Sequence, residues 1–148
     1  MPTRCVPTVA DQVPITEIMT RDLVSARKDQ PVAELVRQML RGHFGCIPVV
    51  DERGHPQGIV TKTDLIELIA KPAHLASATA SDVMMPLAIV LDERATIAHC
   101  AQMMTLEDFH HVMIVGSGGA LVGVVSSQDI VRWLVANDSA PSLVAVSA

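Results

Sequence analysis

The chain of 148 residues has no tyrosine, one tryptophan and two phenylalanines, so its core must be built from Val, Ile, Leu, Met and Ala. Such a core offers few aromatic platforms on which bases could stack. Long apolar runs are missing too. Stretches such as Ile47 to Val50 and Leu121 to Val122 fall far short of the ~20 residues that a membrane span needs. No Arg-led apolar stretch opens the sequence, so a secretory signal is not expected. Cysteine is scarce: Cys5, Cys46 and Cys100 make an odd number with no CxxC spacing. That fits neither a disulfide framework nor a zinc ribbon, and it points to the reducing cytoplasm. Positive charge is also short, with 11 Lys+Arg against 16 Asp+Glu and a pI near 5.6, which argues against a dedicated nucleic-acid binder. Only 18% of residues are charged while 49% are apolar, and the mean hydropathy is +0.37. Intrinsic disorder is thereby excluded. A soluble, compact, mildly acidic protein remains.

What is present is a repeat. Shifted by 65 residues, the sequence matches itself without a gap: Met19 meets Met84, Ala33 meets Ala98, Met39 meets Met104, and Phe44 meets Phe109. Further on, Val50 meets Val115, Gly54 meets Gly119, Gly58 meets Gly123, and Asp64 meets Asp129. Conservative pairs such as Ile18/Val83, Val32/Ile97, Ile47/Val112 and Thr61/Ser126 lie between them. A regular period of this kind organises a fold before any single motif does.

Each copy predicts the same elements. A helical turn around Glu17–Met19 (Asp82–Met84) leads into an apolar strand, Leu23–Ser25 (Ala88–Leu91). An amphipathic helix follows, with Val32, Leu35, Val36, Met39 and Leu40 at helical spacing, matched by Ile97, Cys100, Ala101 and Met104. Pro31 suits the first turn of that helix. Two strands joined by a tight turn come next: Ile47–Val50 with Gly58–Thr61, and Val112–Val115 with Leu121–Val125. A last helix runs over 63–70 and again over 127–136. The chain therefore divides into an N-terminal arm (1–14), repeat one (15–70), a linker (71–79), repeat two (80–136) and a flexible tail (137–148). A unit of about 55 residues is marginal alone, and two copies sharing an interface remedy that.

Catalytic signatures are missing. Gly116-Ser117-Gly118-Gly119 lacks a following Lys-Ser/Thr and reads as a hairpin turn, not a phosphate loop. No local Ser-His-Asp or Cys-His set stands out, and Cys46 falls in a predicted strand. The acidic pairs Asp51-Glu52, Asp92-Glu93 and Glu107-Asp108 read as solvated turns, and the eight methionines as core.

The strand-to-helix junctions carry the chemistry. Thr61-Lys62-Thr63-Asp64 and Ser126-Ser127-Gln128-Asp129 place a hydroxyl where a helix N-terminus welcomes an anion. An acid three residues later could accept from two vicinal ribose hydroxyls. The same spacing is also a capping box, in which hydroxyl and acid satisfy the helix's own first turn. Lys62, a cation placed against the helix dipole, favours an anion nearby or else a solvated face. His110 and His111 could serve a phosphate, with binding that tightens as pH falls through the ordinary histidine pKa near 6.5. They could equally be half-buried structural residues. A metal site with His99 and Asp108 is disfavoured, because neighbouring strand residues point to opposite faces.

Taken together, Ile18-Met19-Thr20, Gly45-Cys46-Ile47-Pro48-Val49-Val50-Asp51 and Gly58-Ile59-Val60-Thr61-Lys62-Thr63-Asp64, with their second copies Val83-Met84-Met85, His110-His111-Val112-Met113-Ile114-Val115 and Gly123-Val124-Val125-Ser126-Ser127-Gln128-Asp129, resemble the tandem CBS domain, named after cystathionine β-synthase. The resemblance covers residues 15 to 135. It implies an α/β (α+β) fold of two β-α-β-β-α repeats packed in pseudo-two-fold symmetry through their sheets, dimerising again into a flat disc. It also implies a non-catalytic sensor of an adenosine compound, AMP, ADP or ATP first and S-adenosylmethionine or NAD second, that signals to a separate effector protein. Each cleft would pair the acid of one copy with strand residues of the other. The Asp129 cleft would use Thr20, Val24, Gly45, Cys46, Ile47 and Pro48 with Ser126 and Gln128. The Asp64 cleft would use Met85, Ile89, His110, His111, Val112 and Met113 with Thr61, Lys62 and Thr63, while His111 could also give the Asp129 cleft a phosphate partner and His110 could help either cleft. The rival readings are a ligand-free dimeric scaffold and a metal-sensing module built on His110 and His111.

Overall fold

A computed structural model of the protein describes residues 8–86 and 89–137. Residues 1–7 of the expected arm, with Cys5, lie outside the described residues. So do Ala88 at the start of an expected strand and residues 138–148 of the expected tail.

The first copy builds helix α1 (Val32–Gly42), the hairpin β1 (Cys46–Val50) and β2 (Pro56–Thr61), and helix α2 (Lys62–Ile69). Val32, Leu35 and Met39 recur at helical spacing and are buried along one face of α1. Leu40, expected on that face, is 71% exposed; it lies one residue round from Met39, past the edge of the buried stripe. Pro31 is the N-cap of α1, not part of its first turn. The second copy builds the short helix α3 (Ala80–Val83), β3 (Val90–Asp92), α4 (Ile97–Glu107), the hairpin β4 (His111–Val115) and β5 (Leu121–Ser126), and α5 (Ser127–Asn137). Ile97, Cys100 and Met104 are the buried face of α4. Both hairpin turns rely on a glycine, Gly54 at φ 80 and Gly119 at φ 81, a backbone region that side chains disfavour.

The two sheets differ by one strand. In the second copy β3 pairs parallel to β4, giving the order β3-β4-β5, whereas the first copy has only β1-β2. The strand expected over Leu23–Ser25 shrinks to a single bridge between Ala26 and Val49. Pro48 supplies the reason. Its counterpart Met113 donates its N–H to the Ile89 carbonyl at 3.0 Å, a bond that proline cannot make. The Val24 carbonyl, which matches Ile89, therefore accepts no backbone N–H among the described residues.

The opening turns change places. The 3-10 turn Ile15–Glu17 buries Ile15 and Met19 among Ile97, Cys100, Met104, Val112, Ile114, Val125 and Ile130 of the second copy. Ala80 in turn joins Leu35, Met39, Ile47, Val49 and Val60 of the first, with Val83 and Met84 packed beside them. Hydrogen bonds repeat the exchange in register. Thr20 and Val124 bond each other's backbone at 2.9 and 3.1 Å, and Met85 and Ile59 do the same at 2.9 and 3.2 Å. Ile59, Met113 and Val124 form the buried seam where the sheets meet, with Leu23, Cys46 and Leu121 against it. The 71–79 linker is tied down as well: it contains a 3-10 turn, Pro72–His74, and buries Ala78 against Val32 and Leu68.

Candidate functional site: the cleft at Asp129

The two strand-to-helix junctions have the same local structure. The Asp64 carboxylate accepts from the Thr61 amide at 2.6 Å and from its hydroxyl at 2.8 Å, and the Asp64 amide donates to that hydroxyl at 3.4 Å. Ser126 and Asp129 repeat the pattern at 2.8, 2.8 and 3.2 Å. Both acids thus fold back as capping boxes and satisfy first-turn donors that would otherwise be orphaned. The hydroxyls expected to face a phosphate donate to their own carboxylates. One oxygen of each acid, Oδ2, makes the cap. At Asp129 the other, Oδ1, faces Nη1 of Arg132 at 3.6 Å.

A cavity of about 420 Å³ opens beside Asp129. Both copies contribute to its wall. Thr20, Val24, Gly45, Cys46 and the buried Pro48 come from the first, and His110, His111, Ser126, Gln128 and Asp129 from the second. The His111 ring reaches across the seam so closely that a Cβ at Gly45 would lie 3.0 Å from its Nε2, so a larger residue there would have to push the ring aside. His110 precedes β4 and escapes strand alternation, which is how both histidines line one cavity against the sequence expectation. Among the described residues no group of three or more His, Cys, Asp or Glu is placed to hold a metal ion. Burial, with Asp129 nearby, pushes the Cys46 thiol up to about 12, and burial pushes Cys100 to about 11. Both stay protonated at neutral pH and are poor nucleophiles.

Other residues expected at the clefts lie elsewhere. The side chains of Ile47 and Val112 are buried in the separate cores of the two halves, and Met113 is buried in the seam between the sheets. Neighbours on a strand face opposite ways, and both faces of β4 are covered, Val112 by the core of its own half and Met113 by the seam. Met85 is engaged with Ile59, and Ile89 packs against the second core. Lys62 and Thr63 are exposed on the first turn of α2. Asp64 lines a different cavity of about 540 Å³, with Glu67, Lys71, His74 and Asp82; His110 and His111 line the Asp129 cavity, the one of their two expected places that the structure bears out.

Sequence reasoning missed Asp22, His43, Phe44 and Arg132, all of which line the Asp129 cavity. Arg132 was findable, since it stands one helical turn beyond Asp129 on the same face. His43 was not, because its place depends on the left-handed turn (φ 54) that ends α1.

Burial holds His111 below the ordinary histidine value; the neighbouring His110 pushes it further down, Asp129 opposes, and Lys62 adds to the lowering. The unfolded chain takes up this proton near pH 6.5 and the folded one only at lower pH, so the folded state binds fewer protons in that window. Stability is therefore full above the unfolded value and declines as pH falls below it. Melting curves between pH 7.5 and 5.5 are expected to show a shallower decline for His111→Gln than for the parent; equal slopes would remove His111 as the cause.

Comparison with known proteins places these features. The family model described as CBS domain matches residues 15–71 and 80–136. An uncharacterized protein of Methanopyrus kandleri is 26% identical over 121 residues, covering 81% of this chain and 62% of that protein. The chain spans 62%, 31% and 22% of the first three curated relatives it matches. Among solved structures, the CBS domain pair of protein MJ0100 in complex with 5′-methylthioadenosine and S-adenosyl-L-methionine has a TM-score of 0.78 at 23% identity, covering 85% of this chain and 98% of that one. CBSX2 in complex with AMP has a TM-score of 0.75 at 17% identity, covering 85% and 99%.

Proposed function

Because this chain belongs to the CBS domain family, we propose that it is a non-catalytic regulatory module that binds an adenosine compound in the Asp129 cleft and passes that state to a separate effector protein. AMP, ADP or ATP is the first class of ligand, with S-adenosylmethionine or NAD second. The observation that carries the reading is the cavity itself, shared by both copies and combining an apolar wall with convergent polar groups. The Val24 carbonyl, which takes no backbone donor among the described residues, suits an amino group on the purine edge. The Oδ1 of Asp129 suits a ribose hydroxyl, and His110, His111 and Arg132 suit phosphate oxygens. Relatives of this fold solved with AMP and with S-adenosyl-L-methionine support the ligand class.

A ligand held by both copies binds one arrangement of them better than another, and that difference is all it can transmit. Ile66 and Ile69 on α2, with Val131, Leu134 and Val135 on α5, are exposed apolar side chains at matching places in the repeat, which supports a homodimer. No described helix is long and apolar enough to cross a membrane, in keeping with a cytoplasmic site of action. The capping boxes favour the second reading, a ligand-free scaffold, since both acids already have partners. Thermal melts separate the two. AMP at a hundred times its Kd should add about 2.7 kcal/mol, a rise of roughly 5–10 °C for a chain of this size. No shift with any adenosine compound leaves the scaffold.

A further inference from the structure

We propose that the chain pairs with a second copy of itself in antiparallel order, so that α2 of each first repeat packs on α5 of the other's second repeat. The inference rests on the homodimer reading above and deepens it by fixing which repeat meets which.

The surface starts from two apolar stripes. Ile66, Ile69 and Ala70 stand at helical spacing on α2, and Val131, Leu134 and Val135 hold the same places on α5. All six are exposed. A second copy can cover both stripes in two ways. A parallel pair sets each repeat against itself, whereas an antiparallel pair sets each against its counterpart.

Charge decides between the two. In the 65-residue register six places are charged in both repeats, and four of them invert: Arg27 with Asp92, Lys28 with Glu93, Asp29 with Arg94, and Glu67 with Arg132. The places that keep their sign are Glu17 with Asp82 and Asp64 with Asp129. Asp64, Asp82 and Asp129 are committed to capping boxes, which hold them as acids. The inverted charges serve no bond between the repeats of one chain. Among the described residues every ion pair joins groups no more than four positions apart. Residues 15–70 carry seven Lys and Arg with eight acids, and residues 80–136 carry two with six. A parallel pair would therefore press the more acidic repeat against itself.

The inversion reaches the stripes at Glu67 and Arg132, the exposed neighbours of Ile66 and Val131. Antiparallel order brings Glu67 towards Arg132 of the partner subunit, twice in each dimer; parallel order opposes like to like. Arg132 faces its own Asp129 through Nη1 alone, at 3.6 Å, so further guanidinium donors are left for a second carboxylate.

Disulfide trapping reads the order directly. Two chains are made in a Cys5→Ser background, one with Ile66→Cys and one with Val131→Cys. Oxidised as a mixture they are expected to crosslink to each other, and oxidised separately neither should. In sedimentation, Glu67→Arg should raise the Kd of dimerisation roughly tenfold, as two opposite pairs become like pairs. Adding Arg132→Glu to it should bring the Kd back to within about threefold of the parent, since the exchange restores opposite charges. Crosslinking of the Ile66→Cys chain to itself, a dimer that crosslinks in no combination, or a double variant no better than the single would overturn the antiparallel order while leaving the homodimer intact. A parent that sediments as a monomer would overturn both, without touching the adenosine reading.

Discussion

Ile15→Ala is expected to lower the stability of the whole protein by about 2–5 kcal/mol, the usual cost of deleting a buried large side chain. Ile15 stands at the start of the first repeat, yet it is fully buried in the core of the second, and its amide donates to the Ala95 carbonyl at 2.8 Å. The loss is large against the ~5–15 kcal/mol that holds an ordinary domain together, and it corresponds to a fall of roughly 5–15 °C in Tm. Hydrogen exchange should report the damage first in α4, β4 and β5, some eighty positions along the chain and beyond. Leu40→Ala, at a side chain 71% exposed, should change little. A fall confined to the first repeat would show that the opening turns do not cross over.

The second large effect is expected at Gly58→Ala. A Cβ there would lie 2.8 Å from the Met85 carbonyl oxygen and 2.8 Å from Sδ of Met84. The thioether can swing away, but the carbonyl is fixed by its bond from the Ile59 amide. The backbone of the crossing segment has to move, at about 1–3 kcal/mol for overpacking of this kind. Gly118→Ala, with nothing within 4 Å, is the matched control in a turn. A urea midpoint for Gly58→Ala equal to that of Gly118→Ala would mean that Met85 does not lie against β2.

Much of this was legible in the sequence. The 65-residue offset gave both hairpins, both long helices and both capping boxes, because spacing and turn glycines are local properties. Which half covers an apolar face is not local. Met19 matches Met84 in the repeat, but nothing in that match says that the residues covering it, or covering Ile15, belong to the other copy. The missing first-copy strand is subtler, since Leu23–Ser25 is apolar enough to pair and fails only because Pro48, across the way, has no N–H to give. At the site, Ile47 and Val112 are buried in the cores of the two halves and Met113 in the seam, because both faces of these strands are covered, where a motif alone had counted them as lining. Arg132 and His43 went unnoticed because a motif ends at its last defined letter, while a cleft recruits whatever the next turn brings.

Interlaced opening turns have a consequence for ancestry. A lineage that doubled this unit and then let each copy clasp the other's first residues could not afterwards discard one. Deleting either stretch of gene would strip its twin of a core residue and leave a remnant with an uncovered flank. The two crevices are free to diverge independently, while the crossing segments are locked as a pair.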